Sequence, residues 1–310
     1  MGLNPSFVAS FKVPSRSTGN GILEVKLISS KSPGSCCGGL ALTFRLIPVR
    51  IGAKEKAFRS MKLLLLLVSA LAISSGVAAE KESRFFEMRT YYAAPGKLDD
   101  LQARFRNHTL RLFEKHGMIN IGYWVPLTNA ESKLIYLLAY PSREARQQAW
   151  KEFGDDPAWQ AVVKESEGNG KLVSKADSVF LTATDFSPVV KPESSQTPRL
   201  FELRTYRAAP GKVENLLARF RDHTVALFAK HGMTQLGYWL PTEKKDGAGE
   251  ILTYILVHRS KESAEASFKA FRADPEWIQA KAASEVNGPL TVTNGVQSAL
   301  MVPTDFSPAR

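Results

Sequence analysis

Residues 84–127 read RFFEMRTYYAAPGKLDDLQARFRNHTLRLFEKHGMINIGYWVPL, and residues 199–242 read RLFELRTYRAAPGKVENLLARFRDHTVALFAKHGMTQLGYWLPT. The two stretches are offset by 115 positions, and 28 of their 44 residues are identical. The similarity continues with DPAW at 156–159 and DPEW at 274–277, and with TDFSP at 184–188 and 304–308. A period this long indicates two copies of one small domain rather than a solenoid.

The positive charge of the chain is concentrated ahead of the repeats. The formal net charge is +11, but residues 1–79 hold ten basic and two acidic residues, which leaves 31 basic and 28 acidic residues in 80–310. A nearly neutral repeat region is not the electrostatic footprint of a nucleic-acid-binding protein. Both cysteines, Cys36 and Cys37, also lie in the leading segment. The repeats therefore have neither a disulfide nor a thiolate metal site.

Residues 61–79, MKLLLLLVSALAISSGVAA, have the basic start, apolar centre and small-residue end of a secretory signal peptide. We expect cleavage after Ala79, a mature chain that begins at Glu80, and a periplasmic or secreted location. The alternative is an uncleaved segment, which would be the only contact with a membrane. Residues 1–60 lack the repeat and clear periodicity. For them we expect either a disordered basic presequence or a gene-model extension ahead of a true start at Met61.

Each copy has the pattern of a small α+β unit. In the first copy, alternation predicts a strand over 84–92, and apolar spacing predicts an amphipathic helix over 97–116. Two further strands are predicted over 118–125 and 134–140, a helix over 142–153, a short helix from Asp156, and a fourth strand over 179–182. The order β-α-β-β-α-β is that of a ferredoxin-like domain.

We therefore predict an α+β fold of two tandem ferredoxin-like domains, residues 80–188 and 199–310, joined by an extended linker at 189–198 that contains two prolines. Each domain has helices on only one face of its sheet, so the other face must be covered. The second copy can supply that cover. This predicts an internal pseudo-dimer, in which the two sheets form an α/β barrel with the helices outside.

The motifs FEMRTYYAAPGK, a helix that ends in KHG, GYWVP and DPAW together resemble the NIPSNAP family of the dimeric α/β-barrel superfamily, and the match covers both copies. The resemblance implies a tandem barrel of unsettled biochemical role. Eukaryotic members are associated with mitochondria and with protein partners, whereas this chain carries what looks like a bacterial export signal. The superfamily also includes small-molecule monooxygenases, haem-binding proteins and haem-degrading enzymes, which is an analogy of fold alone.

The first candidate site residues lie on the first strand of each copy. Glu87, Arg89 and Tyr91 share one strand face, and Glu202, Arg204 and Tyr206 repeat the pattern. One hypothesis is a polar lining of the barrel interior, where an arginine could hold the carboxylate of a ligand. The other is an internal Glu–Arg pair that satisfies itself.

His108 and His223 follow the apolar stripe of the long helices. The stripe Leu101, Phe105, His108, Leu112 predicts that this histidine is buried against the sheet. In the superfamily the ligand pocket lies between sheet and helix, so the resemblance implies a general base, a haem ligand or a hydrogen-bond partner there. The alternative is a core histidine. His116 and His231 end these helices before a glycine, which predicts a capping role.

Aromatic residues form the third candidate group. They are Tyr123, Trp124 and Trp159 in the first copy, and Tyr238, Trp239 and Trp277 in the second. They can belong to the core or to the wall of a ligand site. Tyr140 aligns with His258, so the two copies need not be chemically equal. No HExxH, GxSxG, Walker or Rossmann glycine pattern occurs, and we expect no metal site.

These observations favour an exported binding protein over an enzyme, with no catalytic residue assigned and no cofactor. Its partner would be a small apolar or aromatic molecule or another protein, with further homo-oligomerisation left open. The alternative is a cofactor-independent or haem-using monooxygenase-type enzyme. That alternative predicts a pocket between helix and sheet that contains His108 and an aromatic wall, whereas a filled core there would favour a scaffold.

Overall fold

The computed structural model describes residues 85–195, 197 and 199–310, together with the backbone of two strands near the N-terminus. Those strands, β1 (Val8–Val13) and β2 (Leu23–Ile28), pair antiparallel within a first unit, Met1–Gly76. The repeats form a second unit, Val77–Arg310. The expected signal peptide, its cleavage site and the remainder of the leading segment lie outside the described residues.

The first repeat has four strands and four α-helical segments. The strands are β3 (Phe85–Ala93), β4 (Ile119–Pro126), β5 (Lys133–Tyr140) and β6 (Val173–Ala183). The helices are α1 (Leu98–Arg104), α2 (Leu110–Lys115), α3 (Arg143–Asp155) and α4 (Pro157–Ser166). Between α1 and α2 the helix contains a π-helical turn, Phe105–Thr109. The predicted element order is confirmed, but β6 begins well before residue 179, because its first half is polar and partly exposed and so lacks an apolar pattern.

The second repeat has the same elements. Its strands are β7 (Leu200–Ala208), β8 (Thr234–Pro241), β9 (Ile251–His258) and β10 (Thr291–Pro303). Its helices are α5 (Val213–Arg219), α6 (Val225–Lys230), α7 (Lys261–Ala273) and α8 (Pro275–Ser284), with a second π-helical turn, Phe220–Thr224, between α5 and α6. A 3-10 turn, Lys244–Asp246, lies in the loop before β9. In the described part of the chain, no helix has the length and apolar character needed to cross a bilayer.

The eight strands of the repeats close into one antiparallel barrel, in the order β10-β4-β5-β3-β6-β8-β9-β7. The last strand of each repeat pairs with the first strand of its own repeat and with the second strand of the other: β6 bridges β3 and β8, and β10 bridges β7 and β4. Neither repeat can therefore complete the barrel alone. The predicted internal pseudo-dimeric barrel is confirmed.

The two faces of each strand enter different cores. The barrel interior is filled by side chains from both repeats, including Phe86, Trp124, Phe201 and Trp239. The outer face of each sheet packs under its own helices around Phe105, Tyr123 and Tyr136 in the first repeat, and their counterparts Phe220, Tyr238 and Tyr254 in the second. The barrel interior is thus an apolar core built from both repeats.

Each TDFSP motif docks on the other repeat. Thr304 N–H donates to the Tyr123 carbonyl at 3.0 Å, and Ser307 Oγ accepts from Tyr123 N–H at 2.9 Å. Asp305 then accepts from Arg106 of the first π-helical turn through both oxygens, each at 2.7 Å. The motif at 184–188 repeats these contacts on Tyr238 and Arg221 of the second repeat. Each repeat therefore binds the other through its TDFSP motif, and each of these contacts lies beside a π-helical turn.

Candidate ligand-binding site

Glu87 on β3 lies at the centre of a buried polar cluster. It accepts from Arg89 at 2.6 Å, from Nε and Nη2 of Arg146 at 2.9 and 2.7 Å, and from Ser178 at 2.6 Å. Tyr140 and Trp150 add donors at 3.2 and 2.9 Å. The cluster lies on the outer face of the sheet, under α3. The hypothesis that Glu87, Arg89 and Tyr91 line the barrel interior is therefore wrong; the interior takes the opposite face, with Phe86 and Met88.

The cluster satisfies its own charge. Burial by itself would raise the pKa of Glu87, but the hydrogen bond from Arg146, the charge of Arg89 and the Ser178 hydroxyl together lower it to about 2. Burial lowers the pKa of Arg89, and nearby phenol oxygens and Glu87 raise it above its usual value. This arrangement matches the self-satisfied pair: both Arg89 and Arg146 donate to Glu87, although Arg89 Nε is buried without a partner among the described residues.

The second repeat builds a different cluster on the same frame. Glu202 accepts from Arg204, from His258 Nε2 at 3.0 Å and from Ser298 at 2.5 Å. At the position of Arg146 the second repeat has Ala264, and at that of Trp150 it has Phe268, which lies under the Arg204 guanidinium at 4.7 Å. The alignment of Tyr140 with His258 thus marks a real chemical difference between the repeats.

The π-helical turns decide which helix residues face the sheet. In the first, Leu110 N–H bonds to the Phe105 carbonyl, and the Thr109 hydroxyl donates to the Arg104 carbonyl at 3.2 Å. Thr224 repeats the second contact with Arg219 at 3.1 Å. A π-helical turn has i→i+5 hydrogen bonds and winds the chain more loosely than an α-helix does. As a result Thr109, four positions after Phe105, is buried against the sheet, and His108, three positions after Phe105, is rotated outward. Thr109 is 1% exposed.

His108 and His223 consequently do not lie against the sheet. His108 is half-buried and His223 is exposed. The prediction that both are removed from water is wrong, because the apolar stripe was counted with ideal α-helical spacing across a π-helical turn.

His116 and His231 end their helices as predicted and have a further partner. His116 Nε2 lies 2.8 Å from Asp156, which N-caps α4 by accepting from Ala158 N–H at 2.9 Å. The ammonium of Lys115, followed by His116 and the Ala158 amide, holds the pKa of Asp156 well below its usual range. In the second repeat, Lys230, His231 and a backbone amide lower the pKa of Asp274 to about 2. The aspartate thus joins the end of one helix to the start of another.

The GYW motifs divide their aromatic side chains between the two cores. Tyr123 and Tyr238 point under the helices, whereas Trp124 and Trp239 fill the barrel interior, each fully buried. Gly122 is required beside Trp124, because a Cβ there would lie 2.2 Å from the indole ring. Trp159 and Trp277 lie farther out, beneath the guanidinium groups of Arg104 and Arg219 at 5.3 and 5.2 Å.

A cavity of about 280 Å³ lies between the sheet and the helices of the second repeat, and we call it the second-repeat cavity. Its aromatic lining consists of Tyr206, Phe220, Phe228, Phe271 and Trp277. Its charged lining consists of Arg219, Lys281 and Glu285, and Thr224, Pro289, Thr291 and Val296 complete it. Its lining therefore includes both Tyr206, a candidate site residue from the sequence, and residues of the second π-helical turn.

A cavity of about 310 Å³ in the first repeat has a different character. It lies between α1 and α4, and its lining includes Lys97, Asp100, Arg104, His108 and Glu165 but no Phe, Tyr or Trp side chain. The structure therefore places His108 beside a polar cavity and the aromatic wall in the other repeat. The pocket expected for a monooxygenase-type enzyme combined the two.

A bulge in β10 borders the second-repeat cavity. Pairing with β7 passes from Thr291 opposite Ala208 to Val296 opposite Tyr206, so residues 292–295 face Arg207 alone. Between Leu290 and Ser298 the second repeat has two more residues than the first has between Leu172 and Ser178. Asn294 takes a positive φ of 60° in the bulge. Thr291 and Val296 flank the bulge and line the cavity, so the insertion shapes its edge.

The family relationship follows from both repeats. A family model described as NIPSNAP matches residues 86–188 and 201–308. The chain belongs to the NIPSNAP family.

Known proteins resemble this NIPSNAP chain at low identity. Protein NipSnap homolog 3A of Pongo abelii and its Homo sapiens counterpart are each 25% identical over 227 residues, which cover 73% of this chain and 86% of the relative. An uncharacterized NIPSNAP domain protein from Burkholderia xenovorans is 23% identical, with 34% of this chain and 98% of that chain covered and a TM-score of 0.30. A putative monooxygenase from Lactobacillus acidophilus is 11% identical, with 72% and 94% covered and a TM-score of 0.45. These likenesses carry no conclusion about function.

Sequence reasoning missed several residues of both NIPSNAP repeats. Arg146 and Trp150 were not singled out, although their spacing of four after the N-cap Ser142 places them on one face of a helix. Arg219, Lys281 and Val296 carry no motif, and only the fold brings them together around Tyr206. Among the described residues, no group of three His, Cys, Asp or Glu side chains is placed to hold a metal ion.

Proposed function

We propose that this NIPSNAP chain binds a small aromatic molecule in the second-repeat cavity. The observation that carries the proposal is the composition of that cavity: about 280 Å³, with five aromatic and three charged side chains in its lining. Ligand pockets are concave, mostly apolar, and fitted with a small number of polar groups that set orientation. A volume just below the usual range of about 300–1,000 Å³ suits a small molecule of one or two fused rings.

The lining favours binding over catalysis. Histidine is absent from the residues that line the second-repeat cavity, so the general base of the monooxygenase alternative has no counterpart there. The lining of the cavity also offers few ligands for haem iron. Of the side chains that commonly bind haem iron, the lining includes only Tyr206, whose hydroxyl accepts a hydrogen bond from Arg204 at 3.2 Å.

A cavity-filling substitution tests the proposal. Val296 lines the cavity and is 42% exposed, so Val296→Trp should occupy the cavity edge with little effect on folding. Ala176 faces Tyr91 across β6 and β3 as Val296 faces Tyr206, so Ala176→Trp is the matched control. We expect the wild type and the control to bind 2-naphthamide in calorimetry, and Val296→Trp to bind it about tenfold more weakly or worse. Absence of binding, or equal binding by all three proteins, would contradict the proposal.

The natural ligand can be sought directly. Native mass spectrometry and an absorption spectrum of the protein purified from its own host should show a retained aromatic molecule. Val296→Trp should lose that molecule, and Ala176→Trp should keep it.

Export is a separate proposal, which rests on residues 61–79 alone. The small residues at the end of the signal-like segment predict cleavage after Ala79. N-terminal sequencing of the periplasmic or secreted protein should therefore begin at Glu80 or within a few residues of it. A soluble mature protein that retains Met1 would refute this expectation.

A further inference from the structure

We infer that the ligand of the second-repeat cavity is an aromatic carboxylate whose oxyanion is held by Arg219. This inference rests on the proposed function and adds the chemical class of the ligand. Arg219 ends α5, its side chain is 5% exposed, and it lines the cavity together with the aromatic side chains. A buried guanidinium beside aromatic rings is the arrangement that recognises a flat acid.

One edge of the Arg219 guanidinium has no partner in the described part of the chain. Nη1 donates to Glu285 at 2.7 Å and to Ser284 at 3.4 Å, whereas Nε is buried without a hydrogen bond. Nη2 has no hydrogen bond to the described residues either. Burying a donor without an acceptor costs free energy, and a ligand oxyanion on this edge would remove that cost.

The same edge of arginine binds carboxylates elsewhere in this fold. Arg146 presents Nε and Nη2 to Glu87, and Arg106 and Arg221 present them to Asp305 and Asp185, with distances between 2.6 and 2.9 Å. Two parallel N–H···O bonds of this kind match the geometry of a carboxylate and are stronger than bonds between neutral groups. The free edge of Arg219 therefore offers a site for a carboxylate that the chain itself does not supply.

The charges of the lining also favour an anion. Arg219 and Lys281 are cations, and Glu285 is the one carboxylate in the lining, already paired with Arg219. The Lys281 ammonium makes no hydrogen bond or ion pair with the described residues, and only the carbonyl of this residue accepts, from Ser284 Oγ and Glu285 N–H. A surplus positive charge beside aromatic walls attracts an anionic aromatic ligand and disfavours a cationic one.

Arg104 of the first repeat is the internal comparison. It has the same surroundings, with Glu167 at 2.8 Å, the Trp159 ring at 5.3 Å and a buried Nε that lacks a partner. The cavity that it lines has no Phe, Tyr or Trp side chain, and the two carboxylates there, Asp100 and Glu165, balance the two cations Lys97 and Arg104. The aromatic acid is therefore assigned to the second repeat alone.

The test compares 2-naphthoate with its neutral isostere 2-naphthamide on the full chain. We expect the wild type to bind the carboxylate about tenfold more tightly or better, the range for a hydrogen bond to a charged group. Arg219→Lys keeps a positive charge beside Glu285 but removes the Nε–Nη2 edge of the guanidinium, and it should abolish the preference for the carboxylate over the amide. Lys281→Gln, at an exposed position that should not affect folding, should reduce the preference. Arg104→Lys should change neither affinity.

The outcomes separate this inference from the proposed function. Equal affinities for the two probes in the wild type, or the same loss of preference in Arg104→Lys, would overturn the assignment of a carboxylate to Arg219 while leaving an aromatic-binding cavity. If neither probe binds, both the inference and the proposed function fail. A preference that survives Arg219→Lys and Lys281→Gln would place the anion at another site and overturn the inference.

Discussion

At the scale of single residues, Glu87 and Glu202 are the same position in two different environments. Glu87 is fully buried and accepts from five side chains, including two arginines, whereas Glu202 accepts from one arginine, one histidine and one serine. Removing one partner of a buried charge pair is costly, because the remaining charge stays in a medium that solvates it poorly. The internal repeat therefore provides a matched pair of substitutions.

We expect Glu87→Gln to lower the free energy of unfolding by about 3–5 kcal/mol, because it strands the charges of Arg89 and Arg146. Glu202→Gln should cost less, because only one arginine, Arg204, loses its carboxylate partner. Urea denaturation of both variants and the wild type measures the difference. Equal losses would show that the second arginine contributes nothing to the first cluster.

The contribution of Glu87 should also appear in how the free energy of unfolding depends on pH. The folded-state pKa of Glu87 is about 2, below its ordinary value of 4.5, so its contribution is complete above about pH 5 and is lost as the pH falls towards 2. Glu87→Gln should therefore flatten the acid limb of the curve of stability against pH between those values. An acid limb as steep as that of the wild type would mean that other carboxylates dominate it.

At the scale of secondary structure elements, contacts at helix ends connect one helix to another. Asp156 caps α4 and also binds Lys115 and His116 at the C-terminal end of α2, so one side chain connects two elements. Asp155, one residue earlier, is exposed and pairs only with Lys151. These neighbours share a residue type and differ in what they connect.

Asp156→Ala should lower the melting temperature by a few degrees, because the cap of α4 and the contact with the end of α2 are lost together. Asp155→Ala should leave the melting temperature nearly unchanged, because an exposed i,i+4 pair contributes little. Differential scanning calorimetry of the two variants is the measurement. A similar shift in both would mean that the contact between the two helices is not a source of stability.

At the scale of the whole molecule, the barrel is closed by exchange between the repeats. β6 and β10 each pair with a strand of the other repeat, and each TDFSP motif binds the other repeat's GYW strand and π-helical turn. A repeat expressed alone would expose both its apolar inner face and unpaired strand edges.

We therefore expect residues 80–190 and 195–310, expressed separately, to be dimeric or poorly soluble. Size-exclusion chromatography with light scattering measures the mass of each half, and mixing the halves should recover a species with the mass of the pair. Two soluble monomers with independent and unshifted melting transitions would count against the barrel as the unit of stability.

How far the sequence predicts this protein depends on the range of the interactions involved. The repeat, the order of strands and helices and the barrel follow from local periodicity and from the need to cover an apolar sheet face. The side of the sheet that carries Glu87 did not follow, because alternation along a strand separates two faces without saying which one turns inward. Nor did the outward position of His108, since the π-helical turn changes the helix phase without a recognisable motif.

The second-repeat cavity was decided by the tertiary structure alone. Tyr206, Arg219, Lys281 and Val296 lie on four different elements, and a two-residue insertion in β10 shapes the edge of the space between them. A cavity is volume that packing leaves unfilled, and it depends on long-range contacts that local sequence patterns do not encode. The sequence by itself determined two copies of one domain and the barrel that they close, because the burial of their apolar faces admits few alternatives. The tertiary structure decided that the aromatic cavity lies in the second repeat, because it depends on how side chains from separate elements pack.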